Sequence, residues 1–86
     1  MKISQSDAKF LCKFLHHKRV CLSENLDNPK SSSTRMRNSA EKMLNHGIVK
    51  LIEVKRFELP LIGKMRQEYY SAEDVITKEY LMELVD

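Results

Sequence analysis

The stretch Ser31–Val49, SSSTRMRNSAEKMLNHGIV, decides how the rest of the 86-residue chain is read. Met36, Ala40, Met43 and Leu44 recur at spacings of four, three and one, which puts them on one face of a 3.6-residue period. Thr34, Arg35, Arg37, Asn38, Glu41, Lys42 and Asn45 occupy the remaining surface. Gly47 stands where a helix commonly ends in a left-handed residue. Ile48 and Val49 follow at once and favour a strand. The stretch predicts one helix, over about residues 32–46, that runs into a strand without a linker.

The start of that helix sets its chemistry apart. Free N–H groups at a helix N-terminus carry partial positive charge and ordinarily attract acids. Here Ser31 to Thr34 bring four hydroxyl side chains, Arg35 and Arg37 follow, and there is no acid. Such a set suits phosphate oxygens, although serine capping under a solvated charged face has the same composition. Arg35, Arg37 and Asn38 are the candidate base readers, because arginine pairs bidentately with guanine and asparagine with adenine. Ser32, Ser33, Thr34, Lys42, Lys55, Arg56, Lys64 and Arg66 are candidate phosphate contacts, which position a duplex without specifying it.

Eighty-six residues make one domain, and a chain this short gains much from a partner subunit. The net charge of +3 hides an asymmetry. Between Asn28 and Arg66 nine basic residues meet only Glu41, Glu53 and Glu58, a balance of +6. From Gln67 to Asp86 six acids meet only Lys78, a balance of −5. A basic middle beside an acidic tail points to one face for a polyanion and another turned away from it. No apolar run approaches the roughly 20 residues of a membrane helix, and no leader peptide is recognisable, so a cytoplasmic location is expected. Cys12 and Cys21 are too few for a disulfide framework and are expected to be reduced and partly buried.

Outward from the central stretch, a first helix is expected over about 5–17, with Ser4 and Asp7 spaced as a capping box. A short β run over 20–22 follows, then a short helix over about 23–28 capped by Ser23 and ended by Pro29. Beyond the central helix, Ile48 to Tyr70 reads as a hairpin turned by Leu59-Pro60-Leu61-Ile62-Gly63. Ser71 and Asp74 are spaced as a second capping box, which opens a last helix over about 72–85.

This order of elements resembles a winged helix-turn-helix domain. The likeness is carried by LSENL at Leu22–Leu26 and by SSSTRMRNSAEKMLNHGIVKL at Ser31–Leu51, where a hydroxyl-rich start leads into a helix closed by glycine and two aliphatic residues. The outer helices resemble those of small dimeric MarR- and ArsR-type transcription regulators. The resemblance implies an α+β, mainly helical fold: a winged helix-turn-helix with an added C-terminal helix. It implies a recognition helix in the major groove of double-stranded DNA and a hairpin wing on the flanking backbone or minor groove. It departs from the family pattern at the wing tip, where Leu59, Leu61 and Ile62 are apolar and suit a protein partner, so a protein-binding adaptor is the alternative.

Two further expectations concern partners. Phe10, Phe14, Val75, Tyr80, Leu81 and Leu84 exceed what one small core should cover and are assigned to a homodimer interface. The histidines and cysteines lack the paired spacing of a zinc site, so no metal and no cofactor is expected. No nucleophile elbow, glycine-rich phosphate loop or metalloprotease pattern is present, so the chain is read as a binding protein and not an enzyme.

Overall fold

In the computed structural model, which describes residues 2–28 and 31–85 and only the backbone of residues 31–33, both ends of the chain's secondary structure follow from local chemistry. Helix α1, Gln5–Cys12, starts at the expected capping box: Asp7 N–H donates to Ser4 Oγ and Ser4 N–H to Asp7 Oδ2, each at 3.2 Å. It tightens into a 3₁₀ turn over Lys13–Leu15 and stops short of residue 17. Strand β1 is Arg19–Asn25, helix α2 is Ser31–Asn45, strands β2 and β3 are Val49–Leu59 and Gly63–Ala72, and helix α3 is Lys78–Leu84.

The fold is α+β but not mainly helical. Strands of 7, 11 and 10 residues stand beside α-helices of 8, 15 and 7. The expected short helix over 23–28 is the main correction. Ser23, Glu24 and Asn25 continue β1, whose side chains alternate outward and inward, with Val20, Leu22 and Glu24 inside, and Leu26 to Asn28 form a bend. Seven antiparallel pairs with β3, from Arg19 opposite Ser71 to Asn25 opposite Met65, satisfy the backbone that a helix would have satisfied otherwise. Ser23 caps nothing; its Oγ accepts from Gln67 Nε2 at 3.3 Å. Asn25 then ends the strand, as its Oδ1 accepts from the backbone of Asp27 and Asn28. Ser71 likewise belongs to β3, and α3 is capped six residues later by Thr77, whose Oγ1 accepts from Tyr80 N–H at 3.1 Å.

The three strands form one antiparallel sheet in the order β1-β3-β2. Helix α2 closes as predicted: Gly47 has φ +75°, its N–H donates to Leu44 O, and Ile48 N–H donates to Met43 O, the paired bonds of a Schellman ending. The next residue, Val49, opens β2. The core lies under one face of the sheet. Phe10, Leu11, Met43 and Val49 are fully buried, and Phe10 meets Phe14 and Tyr70 edge-on at centroid distances of 5.6 and 5.9 Å. Ile3 N–H donates to Leu84 O, which ties the N-terminus to α3.

Register sorts the hairpin into two faces. Val49, Leu51, Val54, Arg56 and Glu58 lie on the same face as Lys64, Arg66, Glu68 and the buried Tyr70. Lys50, Glu53, Lys55 and Phe57 lie on the other, uncovered face with Met65, Gln67, Tyr69 and Ser71. A bulge at Ile52 lets this pattern pass from one half of β2 to the other.

Candidate nucleic-acid interface

Helix α2 divides its side chains by the periodicity read from the sequence. Ser39, Ala40 and Met43 are buried, Met36 and Leu44 pack beside them, and Thr34, Arg35, Asn38, Glu41, Lys42 and Asn45 are exposed. Arg35 and Asn38, three residues apart, share the outer surface of the first turns.

Arg37 does not join them. Its Nη1 binds Glu24 Oε1, and its Nε is 3.6 Å from Glu68 Oε1. Arg66, a candidate phosphate contact, enters the same cluster, with Nη2 2.7 Å from Glu24 Oε2 and Nε 3.6 Å from Glu68 Oε1. Two arginines and two glutamates thus form a part-buried lattice between α2, β1 and β3. Tyr70 Oη donates to Glu68 Oε2 at 3.1 Å; burial, then the negative charge of Glu68 and this bond, push the phenol up to about 12. Paired guanidinium groups here hold the sheet to the helix and are not presented to a ligand. Of the two glutamates only Glu24 has a signal in the sequence: its alternation with Val20 and Leu22 marks it as an inward carboxylate in need of a cation, whereas Glu68 is placed by its register opposite Leu22.

Lys42 is similarly committed, with Nζ 2.9 Å from the buried Asp7 carboxylate. Burial pushes the Asp7 carboxyl up, but hydrogen bonds from Lys42, Ser39 and Ser4 outweigh it and hold the group below its ordinary value. The side chains of Ser32 and Ser33 lie outside the described residues.

The hairpin set separates by face. Arg56 and Lys64 are exposed on the side of the sheet that carries α2, whereas Lys55 is on the uncovered face. There Lys55 Nζ and Arg19 Cζ stand over the Tyr69 ring, 5.3 and 5.4 Å from its centroid, and Arg19 Nη2 is 3.2 Å from Glu53 Oε2. The turn is strapped to the segment ahead of α2. Asn25 Nδ2 donates to Ile62 O at 3.1 Å, Leu26 N–H to Lys64 O at 2.8 Å, and Lys64 N–H to Asp27 Oδ2 at 2.8 Å. Since α2 begins at Ser31, its first turn starts from the hairpin-turn end of the sheet. Arg56 and Lys64 are exposed on the sheet face against which α2 packs, whereas Arg35 lines a shallow cavity with Ser6 and Lys9 of α1.

The residues assigned to a dimer interface are mostly used up inside the chain. Phe10, Phe14, Leu81 and Leu84 are core residues, and Tyr80 packs half-buried against them. Only Val75 is well exposed. The tip residues are different: Leu59, Leu61 and Ile62 are all exposed, Leu61 fully and with φ +67°. Cys12 and Cys21 are exposed free thiols, not partly buried ones. Among the described residues no three His, Cys, Asp or Glu side chains gather as a metal site would need, and no helix is long and apolar enough to cross a membrane. No protein-family profile, curated protein or solved structure matches this chain.

Proposed function

We propose that this chain binds double-stranded DNA in a sequence-dependent way, as a cytoplasmic homodimeric transcription regulator without catalytic chemistry of its own. The observation that carries the reading is that Arg35 and Asn38 are exposed on α2 while Arg56 and Lys64 are exposed on the sheet face against which α2 packs. Arg35 and Asn38 offer the two side-chain types that read guanine and adenine edges. Arg56 and Lys64 offer phosphate contacts from the hairpin arms. The winged-helix resemblance supports it through the order helix, strand, helix, hairpin, although no helix lies between β1 and α2 among the described residues.

Mobility shift with random duplex DNA at two salt concentrations tests the reading. Counterion release makes affinity fall steeply, by about 0.9 log unit per log unit of salt for each phosphate neutralised. Affinity that does not move between low and moderate salt, or no shift at all, would reject it. A second reading has its own support: the exposed tip Leu59, Leu61 and Ile62 is an apolar surface suited to a protein partner. Capture of a protein through the tip, insensitive to salt and lost in Leu61→Asp, would favour that adaptor.

A further inference from the structure

Strand β2 is an edge of the sheet, and its residues from Lys50 to Leu59 are all exposed. Five of them are large and apolar: Leu51, Ile52, Val54, Phe57 and Leu59. An edge strand presents N–H and C=O groups that have no partner in the sheet, and a long edge with many exposed apolar side chains is a template for another strand.

We propose that two copies of this chain pair their β2 strands antiparallel about a two-fold axis at Val54, joining two sheets into one of six strands. The charges choose this occupant and this register. With Val54 opposite its own copy, Glu53 faces Lys55 of the second copy and Lys55 faces its Glu53, both on the uncovered face. Past the bulge at Ile52, Arg56 lies against Leu51 and Ile52 of the second copy, where its aliphatic stem covers them. On the uncovered face Phe57 then meets Lys50. Symmetric registers centred on a charged residue or on Phe57 are worse. An axis at Glu53, Lys55, Arg56 or Glu58 sets that residue against its own like charge. An axis at Phe57 pairs Arg56 with Glu58 but reaches only from Lys55 to Leu59 before Pro60 ends the strand. Charges and a bulge ordinarily protect an edge from any partner; on β2 they admit one.

A two-fold axis between antiparallel edge strands stands perpendicular to the sheet, so both α2 helices stay on the same side. The inference rests on the homodimeric part of the function proposed above and is independent of duplex binding.

Sedimentation of the full chain without DNA separates the two. At tens of micromolar the wild type is expected to run at twice the 10.1 kDa chain mass. Glu53→Lys and Lys55→Glu, each of which turns two attractive pairs into two repulsive ones, should each raise the dimer dissociation constant about tenfold or more. The double exchange should restore it. In a Cys12→Ser/Cys21→Ser background, Val54→Cys should cross-link to a dimer on mild oxidation, and Phe57→Cys should not. Circular dichroism identical to wild type verifies that each variant is folded. A monomeric wild type overturns the proposal even if it shifts DNA. A dimer indifferent to both single reversals, or cross-linked through position 57 and not 54, overturns it as well.

Discussion

At the scale of single residues, Arg35 and Arg37 stand two positions apart and do different work. Arg35 is exposed on α2, while Arg37 is held by Glu24 and Glu68. Arg37→Ala is expected to lower stability by about 1–3 kcal/mol in urea titration, because it strands part-buried carboxylates. Arg35→Ala should change stability by less than about 0.5 kcal/mol, as a surface substitution does, and cost about 1–3 kcal/mol of discrimination between a specific and a random duplex. Equal losses on both duplexes would make Arg35 a phosphate contact. Helical periodicity marks Arg37 as polar, but only the sheet shows why it turns inward: the carboxylates that hold it come from β1 and β3.

Titration gives a second test at this scale. Tyr70 keeps its proton in the fold up to about 12, whereas the unfolded chain loses it near 10. Its contribution is therefore complete below pH 10 and lost as pH rises toward 12. Asp7 has the opposite sign. Its folded value lies below the ordinary 3.8, so its contribution is present above that pH and lost as pH falls through the depressed value. Urea midpoints measured against pH should show both limbs. Tyr70→Phe should flatten only the alkaline one and Asp7→Asn only the acid one; a Tyr70→Phe profile that still falls between pH 10 and 12 would assign that limb to another group.

At the scale of elements, α2 with its glycine ending, the hairpin and the cap of α1 were legible in the sequence, because each is set by residues close together along the chain. The strand over Ser23–Asn25 and the late start of α3 were not. SEN is compatible with a short helix, and it becomes a strand because β3 offers a ladder on which Glu24 is buried beside Leu22. The apolar residues of α3 were read as a surplus for a second subunit, yet Leu81 and Leu84 close the chain's own core beside Ile3, and Phe10 and Phe14 fill it. Leu81→Glu or Leu84→Glu is thus expected to unfold the chain by several kcal/mol, as a charge placed in a core does. A folded monomer by circular dichroism and sedimentation would return α3 to an interface role. The turn carries a related prediction. A Cβ on Gly63, which has φ +111°, would run into the Asp27 carboxylate that holds Lys64 N–H. Gly63→Ala should therefore lower stability by about 1–3 kcal/mol and loosen the hairpin base, whereas Gly47→Ala, with open space around its Cβ position, meets only the backbone penalty of about 1–2 kcal/mol.

At the scale of the whole molecule, the sheet decides which basic residues can act together. The sequence grouped Lys55, Arg56, Lys64 and Arg66 because all four fall on the hairpin arms. The fold distributes them: Arg66 into the ion-pair lattice, Lys55 to the uncovered face over Tyr69, and Arg56 and Lys64 to the side that bears α2. A duplex is a rigid cylinder and cannot lie against both faces of a sheet at once. Binding on the side of α2 therefore releases counterions through Arg56 and Lys64 and not through Lys50 or Lys55. Arg56→Ala and Lys64→Ala should each reduce the slope of log affinity against log salt by about one unit on any duplex sequence. At chain concentrations where the copies stay paired, Lys50→Ala and Lys55→Ala should leave the slope unchanged. The slope is the quantity to measure there because it counts phosphates neutralised. A slope reduced by Lys55→Ala and untouched by Arg56→Ala would put the nucleic acid on the uncovered face. Tyr69 could then stack on bases, and single strands would bind there in preference to duplexes.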